Sequence, residues 1–419
     1  MIEVPEGWEI KPFSSLASIN MGQSPESEFV NENQEGIAFL QGNADFGDIN
    51  PKELYWVKVP KKLAKKDDIL ISVRAPVGDM NMADKEYCIG RGLSALTIKK
   101  INQKFGFYAL FQERIQLDRL AQGSTFLAIG KNDFDKLLIK YPKEKKEQEK
   151  IAKILSTLDN AIESTTRIIE KEKNIKTALM QELLTNGIDK NGQIRTPQTH
   201  TYKQSELGLI PDEWEVMSLI DVTDKNNRYS FTGGPFGSDL KSSDYVERGV
   251  RVIQLQNIGD GEFKNNDFVY TLEQKAQELF SCQIFPNEII MSKMGDPVGR
   301  ACLIPNLEEK FIMCSDGIRI KVDLNKFDNY FIFLAINNTS FRNLIERVAL
   351  GSTRKRIGLI ELKTLKLKLP EFEEQKQIAK ILTTQDKRIE MEETNLSKFK
   401  ELKKGLMNDL LSGVVRVKV

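Results

Sequence analysis

Hydrophobic residues recur at every seventh position in two separate stretches of this chain. Leu155, Ile162, Ile169 and Leu183 keep that spacing, with Lys176 in the one missing slot. Leu382, Ile389, Leu396 and Leu410 repeat it, with Lys403 in the equivalent slot. Heptad spacing marks helices that pack along a seam. From residue 144 to about 186 there is neither proline nor glycine, and strong helix formers dominate. A helix of about 43 residues would be roughly 64 Å long, too long for a compact core and suited to a strut. The rest of the chain has a different rhythm. Residues 68–73 and 288–292 are near-continuous apolar runs that predict buried strands. Residues 105–120 and 329–348 carry helical patterning, and Gly-Asp, Asn-Pro and Pro-Val-Gly sequences punctuate the turns.

These patterns occur twice because the chain is written twice. Pro5-Glu-Gly-Trp8 matches Pro211-Asp-Glu-Trp214 at an offset of 206, and Gly36 to Gln41 matches Gly249 to Gln254 at 213. The strand at 68–72 and the following Pro76-Val-Gly78 match 288–292 and Pro297-Val-Gly299 at 220 and 221. Gly123-Ser124-Thr125 with Ile129-Gly130 matches Gly351-Ser352-Thr353 with Ile357-Gly358 at 228. Ile151-Ala-Lys-Ile-Leu155 matches Ile378-Ala-Lys-Ile-Leu382 at 227, and Leu179-Met180 with Leu183-Leu184 matches Leu406-Met407 with Leu410-Leu411 at the same offset. An offset that drifts and then holds means loop insertions in a globular part followed by a rigid element. A period above two hundred residues is domain duplication, not a solenoid. The expected class is α/β (α+β), with homologous globular domains at 1–142 and 208–370 and long helices at 143–186 and 371–413. A polar linker at 187–207 and a tail at 414–419 complete the plan. If a two-fold axis relates the copies, the two helices meet as an antiparallel coiled coil.

Composition narrows the functional classes. Hydrophobic residues at 40% and charged residues at 29% fit a globular chain. No apolar run approaches the ~20 residues of a membrane span, and Glu3, Glu6 and Glu9 stand where a signal peptide would be basic and then apolar, so a cytoplasmic location is expected. Cys88, Cys282, Cys302 and Cys314 form no Cys-x-x-Cys pair and read as core thiols. His200 is the one histidine, which removes imidazole-cluster chemistry, and no metal site is expected. A net charge of +1 requires any nucleic-acid surface to be local. Gly123 to Gly130-Lys131-Asn132 fails the phosphate-loop spacing, Glu361-Leu362-Lys363 lacks an acidic partner strand, and no Asn-Pro-Pro-aromatic run occurs. No catalytic residue is assigned.

Taken together, the chain resembles the specificity subunit of Type I restriction-modification systems. The likeness spans essentially the whole chain. It rests on Ser205-Glu206-Leu207-Gly208-Leu209-Ile210-Pro211 leading into Trp214 and on the duplicated Gly-Ser-Thr loops. It rests equally on Glu147-Gln148-x-x-Ile151-Ala152-x-Ile154-Leu155 with Asp159, its copy Glu374-Gln375-x-x-Ile378-Ala379-x-Ile381-Leu382 with Asp386, and the closing Leu-Met-x-x-Leu-Leu. The resemblance implies two target recognition domains, each reading half of a split double-stranded DNA sequence, with paired helices setting the gap. It further implies docking of two methyltransferase (modification) subunits and, through them, restriction and motor subunits. S-adenosylmethionine, ATP and Mg would be used by those partners. A non-catalytic coiled-coil scaffold that binds proteins alone is the competing reading.

Candidate DNA contacts follow from side-chain chemistry. Ser352, Thr353, Arg354, Lys355 and Arg356 combine hydroxyls and cations beside Gly351, which suits close approach to phosphates. The first copy offers Ser124, Thr125 and Lys131, with Phe126-Leu127-Ala128 in place of the cations. Gln41 and Asn43, matched to Gln254 and Asn257, have the amides that read adenine. Arg74 and Lys293 occupy a shared post-strand turn, and Arg91 and Arg319 flank another. Ordinary surface or turn placement competes with contact at each of them.

Overall fold

The structure is a computed structural model that describes residues 4–121, 128–351 and 354–418. It divides into two compact units, the first built from Met1–Ile169 with Met391–Val419 and the second from Glu170–Glu390. In the first unit an antiparallel pair joins Trp8–Pro12 to Leu138–Pro142. A four-stranded sheet runs in the order Ala17–Met21, Leu93–Ile98, Ile69–Ser72, Met80–Met82. A five-stranded sheet runs Val30–Asn31, Tyr55–Val57, Ile37–Leu40, Tyr87–Ile89, Leu63–Ala64, with one parallel contact between Ile37–Leu40 and Tyr87–Ile89. The second unit repeats this connectivity. Glu215–Ser218 pairs with Lys366–Leu369, and the four-stranded order is Phe231–Gly233, Gly317–Ile320, Ile289–Ser292, Ala301–Leu303. Its five-stranded sheet has the matching parallel contact between Val250–Ile253 and Phe311–Met313. Every residue of Ile69–Ser72 and Ile289–Ser292 is buried, which explains why these runs are apolar without alternation.

The long helices run Lys145–Leu183 and Phe372–Ser412, 39 and 41 residues, or roughly 58 and 62 Å at ~1.5 Å per residue. The chain leaves each through a left-handed glycine, Gly187 at φ +64° and Gly413 at φ +78°. Space as well as conformation demands glycine there. A Cβ at 187 would lie 2.7 Å from Trp214 Cζ2, and one at 413 would lie 3.0 Å from Trp8 Cε2.

Each unit's core takes in both helices. In the first unit, Ile151, Ala152 and Leu155 are buried with Met407, Leu410 and Leu411 beside Trp8, Phe13 and Phe105. In the second, Leu183 and Leu184 are buried with Ile378, Ala379 and Leu382 beside Phe331 and Phe341. The end of the second helix therefore completes the first unit. Four heptad residues, Leu155, Leu410, Leu183 and Leu382, are thus core residues of a globular unit. Ile169 and Ile389 are also buried, and Ile162 and Leu396 are half-buried.

The two heptad lysines are ion-paired. Lys403 contacts Asp159, whose other carboxylate oxygen accepts from the Tyr108 hydroxyl at 2.5 Å. Lys176 Nζ lies 2.5 Å from Asp386 Oδ1, and Asp386 accepts from Tyr330. The Glu-Gln signature has an equally specific use. Gln148 donates to the Pro142 carbonyl at 2.7 Å and accepts from Asn102 N at 2.6 Å, tying strand to helix. Gln375 does the same with Pro370 and Asp328. Glu147 accepts two bonds from Arg416, at 2.7 and 2.9 Å, and Glu374 accepts two from Arg195, at 2.6 and 3.0 Å.

Arg195 belongs to the stretch expected as a linker, and that stretch is folded onto the second unit. Ile188 is buried in its core, and a hairpin joins Tyr202–Ser205 to Gly208–Pro211. His200 shares a 2.8 Å hydrogen bond with Thr199. The four cysteines are unpaired; three are buried and Cys314 is half-buried. Among the described residues no helix is long and apolar enough to cross a membrane, and no cluster of three or more His, Cys, Asp or Glu could hold a metal ion.

Candidate nucleic-acid interface

The basic loop of the second unit hangs on a short ladder. Met294 and Gly295 pair antiparallel with Arg356 and Lys355, and Leu350 exchanges backbone hydrogen bonds with Arg356 at 2.9 and 2.8 Å. Arg354 and Arg356 are exposed, and Lys355 is half-buried. Arg356 Nη2 lies 3.0 Å from Asp316 Oδ1 and 3.5 Å from Met294 Sδ. Lys355 pairs with Glu346, which hydrogen-bonds it and holds its ammonium above the usual lysine range. Two of the three cations are thus each held by a carboxylate, a partner whose place a phosphate can chemically take. Lys293, half-buried, sits at the start of this ladder; its backbone N–H bonds Asp316 O at 2.6 Å.

At the matching place the first unit has a single bridge, with its charge on the other strand. Arg74 bridges Ala128. Ile129 N bonds Val73 O at 3.0 Å, as Ile357 N bonds Lys293 O at 3.0 Å. Arg74 is thus the positional equivalent of Met294, and Ala128 of Arg356. One arginine occupies this rung in each unit, contributed by opposite strands. Lys131 lies beyond it, exposed at the start of the turn Lys131–Asp135. Ser124, Thr125, Ser352 and Thr353 lie outside the described residues.

Three expected contacts are corrected by their surroundings. Arg319 is only 4% exposed and is gripped by Glu288 through Nε–Oε2 at 2.7 Å and Nη2–Oε1 at 2.6 Å, with its guanidinium 5.3 Å from the Phe285 ring centre. It is an internal ion pair and not a base reader. Strand register also places Ala95, not Arg91, at its position, since Ile289 pairs with Ile320 and Ile69 with Leu96. Arg91 itself is exposed, and its backbone N–H bonds Ser24 Oγ at 3.2 Å. Asn257 is fully buried, accepting from Gln254 N at 2.9 Å and donating to the carbonyls of Lys264 and Asn266. Its counterpart is Asp45, which accepts from Gln41 N at 2.6 Å; Lys52 N bonds Asp45 O as Lys264 N bonds Asn257 O. Asn43 therefore has a different place. It is half-buried and donates to Asp79 at 2.9 Å. Asp79 also holds Arg114 at 2.5 Å, a grouping of distant residues with no sequence signal. The Gln41 side chain is exposed and Gln254 is half-buried, receiving a hydrogen bond from Gln256.

The duplicated units can be set beside known proteins. The chain matches the family described as Type I restriction modification DNA specificity domain twice, over residues 5–173 and 211–401. It is 26% identical over 430 residues to the Type I restriction enzyme MjaVIII specificity subunit of Methanocaldococcus jannaschii, spanning 100% of this chain and 95% of that one. It is 20% identical over 403 residues to the Type I restriction enzyme EcoBI specificity subunit of Escherichia coli, spanning 91% and 79%. The fold is shared with the crystal structure of a Type I restriction-modification S subunit from M. genitalium, at TM-score 0.63 and 18% identity over 97% of both chains. A family match covering both copies of the duplication, and a relative matched along the entire chain, place this protein among the Type I restriction-modification DNA specificity subunits.

Proposed function

We propose that this chain reads a bipartite double-stranded DNA target, one half with each unit, and contributes no catalytic step of its own. The observation that carries the reading is the bridged residue pair that both units share, Arg74 with Ala128 and Met294 with Arg356. Its position is the same in each, but the arginine comes from opposite strands, so two homologous scaffolds present different side chains to different half-sites. A target read this way need not be palindromic. Arg354, Lys355, Arg356, Arg74 and Lys131 supply phosphate contacts, and Gln41, Gln254, Lys293 and Arg91 are the remaining candidates beside them.

The long helices are read as one antiparallel coiled coil with pseudo-two-fold symmetry that fixes the half-site spacing. Two sets of contacts within the units support this. Asp159–Lys403 and Glu147–Arg416 run in opposite chain directions in the first, and Asp386–Lys176 with Glu374–Arg195 repeats them with the helices exchanged in the second. Such a rod also suits two methyltransferase subunits, one per half, with restriction subunits attached through them. S-adenosylmethionine, ATP and Mg then belong to the partners.

Sequencing the methylome of a host with and without this chain tests the reading. Loss of a two-part adenine mark on deletion is the expected result, together with cognate binding that weakens steeply as salt rises. Equal binding of cognate and scrambled duplexes by the assembled complex contradicts it.

A further inference from the structure

The most exposed aromatic side chain of the second unit has no folding role. Phe236 is 82% exposed, within Gly233-Gly234-Pro235-Phe236-Gly237-Ser238. An exposed leucine on a helix needs no explanation, but this phenylalanine stands on a rigid mount. Pro235 before it and Leu240 after it are buried. Gly234 N bonds Gly317 O at 2.8 Å, and a Cβ on Gly234 would come within 1.7 Å of Cys314 O, so the backbone is pressed against the turn at 314–317. Asp239 N closes a turn on Phe236 O at 2.9 Å. The backbone on either side of the ring is thus anchored, and the ring itself is exposed.

The same turn carries Asp316, the partner of Arg356. The aromatic loop and the basic ladder are therefore mounted on one support. An exposed aromatic and an exposed guanidinium group carried on one support combine phosphate contact with an apolar face that can enter a base step. The first unit lacks this feature. Its matching close approach is Gly22 against Gly90 O, and the residues that follow are Gln23, Ser24 and Pro25.

We propose that Phe236 is a stacking wedge, inserted at a base step of the half-site read by the second unit and absent from the first unit's contact. This rests on the DNA-reading function proposed above. It adds that the two half-sites are read by unlike chemistry, and that specificity in the second draws on how easily one step unstacks, beyond hydrogen bonds to base edges.

The test uses the full chain assembled with its modification subunits, on cognate duplexes carrying 2-aminopurine at successive positions of the second half-site. Wild type is expected to raise the fluorescence at one step. Phe236→Ala is expected to abolish that rise and weaken cognate binding by roughly 5- to 150-fold, the range of one lost base–aromatic stack. Phe236→Trp should retain both. Unchanged fluorescence and affinity in Phe236→Ala would overturn the wedge. So would loss of subunit assembly with DNA affinity intact, which would assign the ring to a protein contact. If wild type itself fails to prefer cognate over scrambled DNA, both the wedge and the DNA-reading function fall, and that result is seen before any variant is made. The side chain is exposed, so the thermal midpoints of the variants should match wild type, separating these outcomes from misfolding.

Discussion

At the scale of single residues, charge type was legible in the sequence and surroundings were not. Arg319 and Arg356 look alike in a one-dimensional reading. Only the fold shows that Glu288, 31 positions away, encloses the first, while the second reaches the surface. The two therefore differ in what alanine does. Arg319→Ala strands the buried Glu288 carboxylate and should cost about 3–5 kcal/mol of stability in the second unit, seen as a lower denaturation midpoint. Arg354→Ala and Arg356→Ala should leave stability nearly unchanged, weaken DNA binding, and each lower the salt slope of binding by about one. If Arg319→Ala instead leaves stability intact and weakens DNA binding alone, its assignment as an internal pair is wrong. The cysteines offer a second residue-scale measurement. Burial raises the Cys302 thiol to about 12 and Cys314 to about 11. A thiol whose folded pKa exceeds its unfolded value of about 8.5 favours the fold below that value and loses its contribution as pH rises through the folded pKa. Stability should therefore decline between about pH 9 and 12, and Cys302→Ala should flatten that decline in an alkaline denaturation series. Phe236 escaped the sequence reading because an aromatic residue is ordinarily core. Its one signal was its place inside a run of glycine, proline and serine that turns too tightly to bury it.

At the scale of elements, the long helices were legible because their information is local: heptad spacing, a long run without proline and a terminal glycine. What the spacing alone did not give is the partner at each position. Lys176 and Lys403 interrupt an apolar pattern, and Asp386 and Asp159, which make the interruption tolerable, lie more than two hundred residues away. Reversing one charge with Asp386→Lys should destabilise the second unit, and the double change Asp386→Lys with Lys176→Asp should recover most of the loss. A double-mutant cycle with no coupling would remove the ion pair from the account. Gly405 offers the opposite sign. It lies inside the second helix, and an added Cβ there meets nothing within 4 Å. Gly405→Ala should therefore stabilise by about 0.5–1 kcal/mol, measured as a higher midpoint in urea. The segment at 187–207 was read as a linker from its polar composition. Composition is blind to a single buried anchor, and here Ile188 and the Arg195–Glu374 pair fasten the segment down.

At the scale of the whole molecule, the duplication was legible as repeated words in order, but the way the copies share residues was not. A sequence repeat invites cutting the chain at its repeat boundary. The compact units instead exchange helix ends, so the first unit contains Met391–Val419 and its core includes Met407, Leu410 and Leu411. A fragment ending at residue 186 lacks those side chains and also lacks Arg416, leaving Glu147 without its partner. The fragment nonetheless carries its own Leu179-Met180 and Leu183-Leu184, the same words in the same positions as Leu406-Met407 and Leu410-Leu411. In the full chain those residues fill the equivalent site in the second unit, packed with Ile378, Ala379 and Leu382. Since Ile151, Ala152 and Leu155 match that trio, one fragment's helix end can fill the core of a second copy and the reverse. Fragment 1–186 should therefore sediment as a dimer whose stability rises with concentration. A copy of residues 391–419 added in excess should compete for the site and shift it toward a monomer. A folded monomeric fragment, stable without that addition, would mean that the borrowed helix end is not needed to complete the unit.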